Sequence, residues 1–439
     1  MGNTALPECV WRREMLIFRE LSGWNIVYGR RKTGKTFMVK TVLRGKAFYV
    51  IVTRSLTAIV RDERGKVSYE GIDEAMSKVL EKLGSGGTVV IDEFQRVPPK
   101  YWDALATQHP KGNLLLISSS MGFIHKILDS SSPLLGLVLP LRVGIISVSD
   151  AIASLASSMP SAEAVKWSLI LRDPWIIPFA KNYVGRVEPW TFISRIISQL
   201  TDSVRALIGE VFGEEDRMLT RVYDATLRLL ARGIWSSSKI ANLLYARGLL
   251  SSASPSVVTG ILEKLHSMGL VAKVKLWMTR GGRIYYKHSS PLLAIVYGLI
   301  EKLGLDEGVF VPQKTIENEA LTLYSRELQF ALGELLAEHY GGIQAYTILP
   351  KNMGDVDIVV LDSRGRVPIV SYEVKLGACS RRDLVDIRRR AMTIGSPRSG
   401  IICLGGASEP LKDVLEPQDV VRISRQNVLK AYSKGFLLK

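Results

Sequence analysis

Lys35 and Thr36 close an eight-residue run, Gly29-Arg30-Arg31-Lys32-Thr33-Gly34-Lys35-Thr36, whose spacing could hold a phosphate. The glycines let the backbone curl so that successive N–H groups point inward, at the positive end of a following helix. The lysine can then reach the β and γ phosphates of a nucleotide, and the threonine hydroxyl can ligate magnesium. ATP with Mg2+ is the expected cofactor pair. Further along, Asp92-Glu93 ends the β-branched run Thr88-Val89-Val90-Ile91. Asp92 is suited to hold the hydrated magnesium, and Glu93 to orient and deprotonate the attacking water. The serines 118–120, after the apolar stretch 113–117, are either a γ-phosphate sensor or a plain turn.

A second constellation lies near the other end. Glu373 and Lys375 are two apart in VPIVSYEVKLG, so a strand presents both on one face. A turn at Ser363-Arg364-Gly365 can fold GDVDIVVLD back and bring Asp357 alongside them, with Asp355 as a substitute on the same face. Two carboxylates for a divalent metal and one lysine for water are the minimal set for metal-assisted phosphodiester cleavage.

The elements that must position these residues follow from periodicity. Residues 25–28 read as a buried strand ahead of the glycine loop, and the FMVKTVL stretch after it as a helix, the strand–loop–helix setting that a phosphate loop requires. Thr88–Ile91 reads as a fully buried parallel strand, whose carboxyl end is where ligands of open α/β sheets bind. From 151 to 215 the pattern is helical with aromatic and proline punctuation, as in a lid. From Arg217 onward, three amphipathic segments are followed by the alternating strands LVAKVKLW and RIYYKHS around the turn TRGG. That order describes a winged helix. Its cations Lys273, Lys275, Arg280, Arg283 and Lys287 could meet DNA phosphates, although the third helix is poor in residues that read base edges and the unit could equally be a packing module. After a charged connector near 301–318, a helix from about Glu319 to Tyr340 precedes the second constellation.

The motifs Arg13-Glu14, YGRRKTGKT, VVIDEFQRVP, LLLISSS and SSPLLGLVLPLR resemble those of archaeal AAA-plus ATPases close to the signalling-type NTPases, many of which carry a C-terminal nuclease-like domain. The resemblance implies that Arg142 acts on the nucleotide. The sequence departs from it at Leu137, where an arginine is common, and at Asp173-Pro174-Trp175, where relatives carry a Gly-Gly-x-Pro turn. The C-terminal constellation resembles the PD-(D/E)XK nuclease superfamily. That resemblance implies a helical acid as a further metal ligand. Glu327 and Glu334 share a helix face, and Glu327 is preferred for its distance from the closing glycines.

The expected fold class is α/β: a P-loop ATPase core with a parallel sheet (1–150), a helical lid (151–215), a winged helix (216–300) and a small nuclease-like α/β domain (301–439). The chain of 439 residues is too long for one core, and 47% hydrophobic against 23% charged residues suits globular domains throughout. A net charge of +16 favours a polyanion partner, with DNA preferred to RNA or an acidic membrane. Basic residues also outnumber acidic ones across 361–439. Apolar runs fall far short of a membrane-spanning helix and no signal peptide opens the chain, so a cytoplasmic location is expected. Cys9, Cys379 and Cys403 are far apart without CxxC spacing, which argues against a disulfide or zinc and for ordinary buried thiols. A homo-oligomer is compatible with the resemblance. Together these features lead to an ATP-hydrolysing protein acting on DNA whose nucleotide state gates a nuclease-like domain. The alternatives are a regulatory switch whose last domain binds DNA or protein without cleaving, and a non-enzymatic scaffold, against which the intact Lys35, Thr36, Asp92 and Glu93 argue.

Overall fold

In the computed structural model, residues 6–7, 9–20, 22–215, 220–278, 283–347 and 355–433 are described. The apolar runs around the glycine loop become the middle of a seven-stranded sheet. Its strands are β1 (Trp24–Tyr28), β2 (Phe48–Val52), β3 (Thr57–Arg61), β4 (Val67–Gly71), β5 (Thr88–Asp92), β6 (Asn113–Ser118) and β7 (Leu139–Arg142), in the order β4-β3-β2-β5-β6-β1-β7. From β2 to β7 the pairs are parallel, and the β3–β4 hairpin adds an antiparallel edge. β1, β5 and β6 are buried along nearly their whole length because helices cover both faces, which is why they read as continuous apolar runs. Pro140 is tolerated because β7 is an outer strand.

Helices from Val148–Leu155 to Ile197–Glu215 fill the stretch expected to be helical, and then Thr220–Ala231, Ser237–Ala246 and Pro255–Ser267 lead into two strands, β8 (Val271–Trp277) and β9 (Ile284–His288). These three helices and the hairpin have the order expected from the sequence. The turn 279–282, with Arg280, lies outside the described residues, as does Arg217.

The hairpin does not stand alone. The remaining strands are β10 (Ile343–Thr347), β11 (Ile358–Leu361), β12 (Pro368–Lys375), β13 (Ser399–Cys403) and β14 (Val414–Leu415). β8 pairs in parallel with β10, so a second seven-stranded sheet runs β14-β13-β12-β11-β10-β8-β9. A continuous hydrophobic core extends from the lid helices through this sheet's inner face, including Trp167, Phe192, Leu262, Tyr324, Val360 and Ile402.

Two expectations are corrected here. The long helix spans Gln313–Tyr340 and starts within the stretch read as a connector, because Pro312 opens it and Ile316 and Ala320 are already buried on its inner face. It ends at Gly341 in the left-handed conformation, φ 64°. Cys379 and Cys403 form a disulfide, and only Cys9 is free among the described residues. β12 and β13 are parallel neighbours joined through the Arg381–Thr393 helix, so cysteines 24 apart in sequence meet at adjacent strand ends. Spacing along the chain carries no sign of such a meeting.

Candidate functional site

The glycine loop leaves β1 beneath the end of β7. A Cβ on Gly29 would fall 2.0 Å from the Val143 carbonyl oxygen, so only glycine permits this approach. Gly34, at φ 84°, caps the Lys35–Val42 helix in the left-handed region. The Lys35 ammonium turns back onto the loop, donating to the carbonyl oxygens of Gly29 (2.7 Å) and Arg30 (2.9 Å). Burial lowers its pKa to about 7, with Asp92 and Glu93 opposing that shift. A phosphate would add negative charge here and hold the lysine protonated.

β5 delivers the acids. Asp92 is buried, accepts the Tyr49 hydroxyl at 2.8 Å on one oxygen and the Glu93 N–H at 2.9 Å on the other, and keeps a lone pair free on each. Glu93 has φ 58°, a strained conformation for a non-glycine residue and one found at functional sites. Its carboxylate pairs with Arg96 at 2.9 Å, accepts Gln95 Nε2 at 2.8 Å and faces Arg31 at 3.6 Å. Of the serines 118–120, Ser119 reaches this group, 3.4 Å from Glu93, whereas Ser118 bonds to Ser120.

Arg31, Lys32, Thr33, Gly34, Lys35 and Thr36 line one cavity of about 600 Å³ together with Asp92, Glu93 and Ser119. Its other half is apolar, from Val10, Met15, Ile146, Pro174, Trp175 and Ile177. The size and the division into a polar and an apolar half suit a nucleotide. Thr36 and Asp92 supply hard oxygen donors to the same cavity, which fits a magnesium ion.

Three residues expected at the nucleotide behave otherwise. The Arg30 side chain is 4% exposed and pairs with Asp173 at 2.7 Å instead of lining the cavity, and Gly29 contributes its carbonyl to Lys35 from beneath. Arg142 opens onto a different cleft, beside Gly269. β7 ends at Arg142, and its side chain leaves the sheet towards the turn before β8. Conversely, Arg12 was missed: it is buried, ion-paired with Glu14, and donates to the Thr33 carbonyl at 3.0 Å. Arg12 stands directly before the quoted Arg13-Glu14, and neighbouring arginines give no local sign of which one turns inward. Asp173-Pro174-Trp175, which the sequence marks only as a departure from the relatives' turn, does more: Asp173 anchors Arg30 and the next two residues roof the cavity.

At the second constellation, β11 and β12 pair as a hairpin and bring Asp357, Glu373 and Lys375 together. Asp357 accepts the Val374 N–H at 2.8 Å, and its carboxyl is pushed up to about 7 by burial and by the neighbouring Glu373. Glu373 is raised by burial against the lowering influence of Arg390, 3.0 Å away. Lys375 pairs with Asp383 at 3.2 Å. Glu327 is not part of this group. It is 2% exposed and pairs with Lys287 at 2.8 Å, because its helix face packs on β9. Glu334 pairs with Arg172 at 2.8 Å, and Asp355 is exposed. Among the described residues no three His, Cys, Asp or Glu side chains are grouped to hold a metal ion. As it stands, with Arg390 against Glu373, the set does not fit the divalent ion that a nuclease requires.

The wing cations are also engaged within the protein: Lys273 with Glu263 at 2.5 Å, Lys275 with the Gly365 carbonyl at 2.5 Å, and Lys287 with Glu327. Arg283 is exposed. No described helix is long and apolar enough to cross a membrane.

No family model and no curated protein matches this sequence. Among solved structures, the chain has slight likeness to the Aeropyrum pernix ORC2 protein in ADPNP–ADP complexes, with TM-score 0.39 and 12% identity over 74% of this chain and 96% of that one. The Aeropyrum pernix ORC1 protein in complex with DNA gives TM-score 0.27 and 16% identity over 69% and 97% of the two chains. A signal transduction ATPase with numerous domains and a tetratricopeptide repeat sensor, from Pyrococcus horikoshii, gives 0.29 and 15% over 77% and 52%. Likeness at this level is too slight to assign the chain to a family.

Proposed function

We propose that this protein binds ATP with magnesium at the loop 29–36 and hydrolyses it, and that it acts on DNA. The observation that carries the reading is that Lys35, Thr36, Asp92 and Glu93 all line one nucleotide-sized cavity at the carboxyl ends of parallel strands. The loop's N–H groups and the Lys35 ammonium hold the phosphates. Thr36 and Asp92 are the residues that would hold magnesium, which supplies charge neutralisation to the phosphate oxygens. Glu93 takes the proton of the attacking water once its carboxylate turns from Arg96. Val10, Pro174 and Trp175 enclose the base and exclude water. DNA as partner is supported by the net charge of +16. Retention of labelled ATP and release of phosphate test the reading. Lys35→Ala should lose both, and Glu93→Gln should keep retention while turnover falls on the order of a hundredfold or more. A wild-type protein that retains no ATP would overturn it.

A second reading, that nucleotide state gates a metal-dependent nuclease-like domain, is favoured by the adjacency of Asp357, Glu373 and Lys375 on paired strands. It requires Arg390 to leave Glu373. Cleavage of linear or branched DNA with magnesium or manganese, lost in Asp357→Ala and in Lys375→Ala, is its test. Intact DNA under every nucleotide condition would favour the regulatory switch whose last domain binds without cleaving.

A further inference from the structure

Beside the nucleotide cavity is a second cleft of about 450 Å³, and the two share a single lining residue, Thr33. One wall is the end of β7 and the glycine loop, with Arg142 and Arg30; the other is the turn after the Pro255–Ser267 helix, with Gly269, and the first residues of β8, with Lys273. Arg142 and the stem of Arg30 both line it. A Cβ on Gly269 would lie 3.8 Å from Arg142 Nη2 and 3.8 Å from the Arg30 Cβ.

The charges in this cleft are unbalanced. Its two carboxylates are already held, Glu14 by Arg12 and Glu334 by Arg172. The Arg142 side chain is exposed and has no carboxylate or hydrogen-bond partner among the described residues. Arg30 is 4% exposed; its Nη2 donates to Asp173, but its Nη1 is buried with no acceptor. Buried guanidinium donors are almost always satisfied, so an orphan Nη1 on a residue that lines the cleft is a donor still lacking its acceptor. Two forked cations lining one cleft can match the oxygens of a phosphate group.

We propose that this cleft is a phosphate-binding site separate from the ATP site, taking either a free polyphosphate or the phosphodiester of a nucleic-acid strand through Arg142 and Arg30. Occupancy there is felt at the glycine loop. The Arg30 carbonyl accepts both Lys35 Nζ and Thr33 Oγ1 at 2.9 Å, and its partner Asp173 is followed by the two residues that roof the nucleotide cavity. The proposal does not depend on ATP hydrolysis.

The test uses the full chain carrying Lys35→Ala, which removes phosphate binding at the loop, and measures inorganic pyrophosphate and a single-stranded oligonucleotide of about twelve nucleotides by equilibrium titration at fixed ionic strength. Adding Arg142→Ala should weaken binding about tenfold, with Arg142→Lys intermediate because the charge survives and the fork does not. Arg142 is exposed, and unchanged thermal unfolding verifies that the variants fold. Dependence on Arg142 for pyrophosphate alone assigns a free polyphosphate, for the oligonucleotide alone a nucleic-acid strand, and for both the shared chemistry. Affinities for both probes that are unaltered by Arg142→Ala would overturn the proposal. Failure of the wild type to retain ATP would sink the nucleotide reading and leave this result standing.

Discussion

At Gly29 a single hydrogen decides the geometry of the nucleotide site. Gly29→Ala forces a methyl into the Val143 carbonyl oxygen, so β1 and β7 must part, and a loss of more than about 2 kcal/mol in chemical denaturation is expected together with lost ATP retention. Glu327 shows how one residue type can serve two ends. As a buried partner of Lys287 it is structural, so Lys287→Met, which leaves the carboxylate only the more distant Arg326 at 3.5 Å, should destabilise by up to roughly 3–5 kcal/mol. A metal-ligand role predicts instead a normal fold with altered divalent-ion dependence. Close by, His288 is buried with Nε2 2.8 Å from the Leu227 carbonyl oxygen. Burial lowers its pKa from 6.5 to about 4, with Glu327 raising it and Lys287 and Arg326 lowering it. Its folded pKa lies below the unfolded one, so the stability it secures is complete above about 6.5 and is lost as the pH falls toward 4. The loss amounts to roughly 3 kcal/mol. Urea midpoints of wild type and His288→Gln should converge over that window, because the variant lacks the titration.

Among the elements, β12 and β13 are tied twice, by their parallel ladder and by the Cys379–Cys403 bridge. The bridge closes a loop with a sequence separation of 24, which in chain-entropy terms is about 3 kcal/mol of stability. Reduction, or Cys403→Ser, should lower the stability of the C-terminal sheet by that order in urea titrations, and thiol titration of the unfolded, unreduced protein should find one free group from Cys9. The Arg381–Thr393 helix between these strands carries Arg390 against Glu373 and Asp383 against Lys375. Arg390→Ala is therefore expected to raise the affinity of the Asp357–Glu373 pair for manganese, read by equilibrium dialysis of the full chain.

Across the whole molecule, the two ends are joined by the Gln313–Tyr340 helix. Its last turns meet the end of the chain that holds the glycine loop through Arg172–Glu334 and through Arg13, which bonds both Asp150 and Glu338, while its middle packs through Phe330 on Tyr285 and Tyr346 of the second sheet. ATP should slow amide exchange along this helix in the wild type, and the effect should be lost in an Arg13→Ala, Arg172→Ala double variant that still retains nucleotide. The residues legible before folding were contiguous. Strand, glycine loop and helix, or a buried strand ending in Asp92-Glu93, encode their geometry within a few residues, because backbone curvature and strand burial are local properties of the chain. The hairpin that unites Asp357, Glu373 and Lys375 is likewise a short-range fold. What spacing could not reveal were meetings across long separations: Arg30 with Asp173, Glu327 with Lys287, Cys379 with Cys403, and the β8–β9 hairpin with β10. Those depend on how helices and sheets pack, and a charged side chain near two partners takes the one that packing brings within reach.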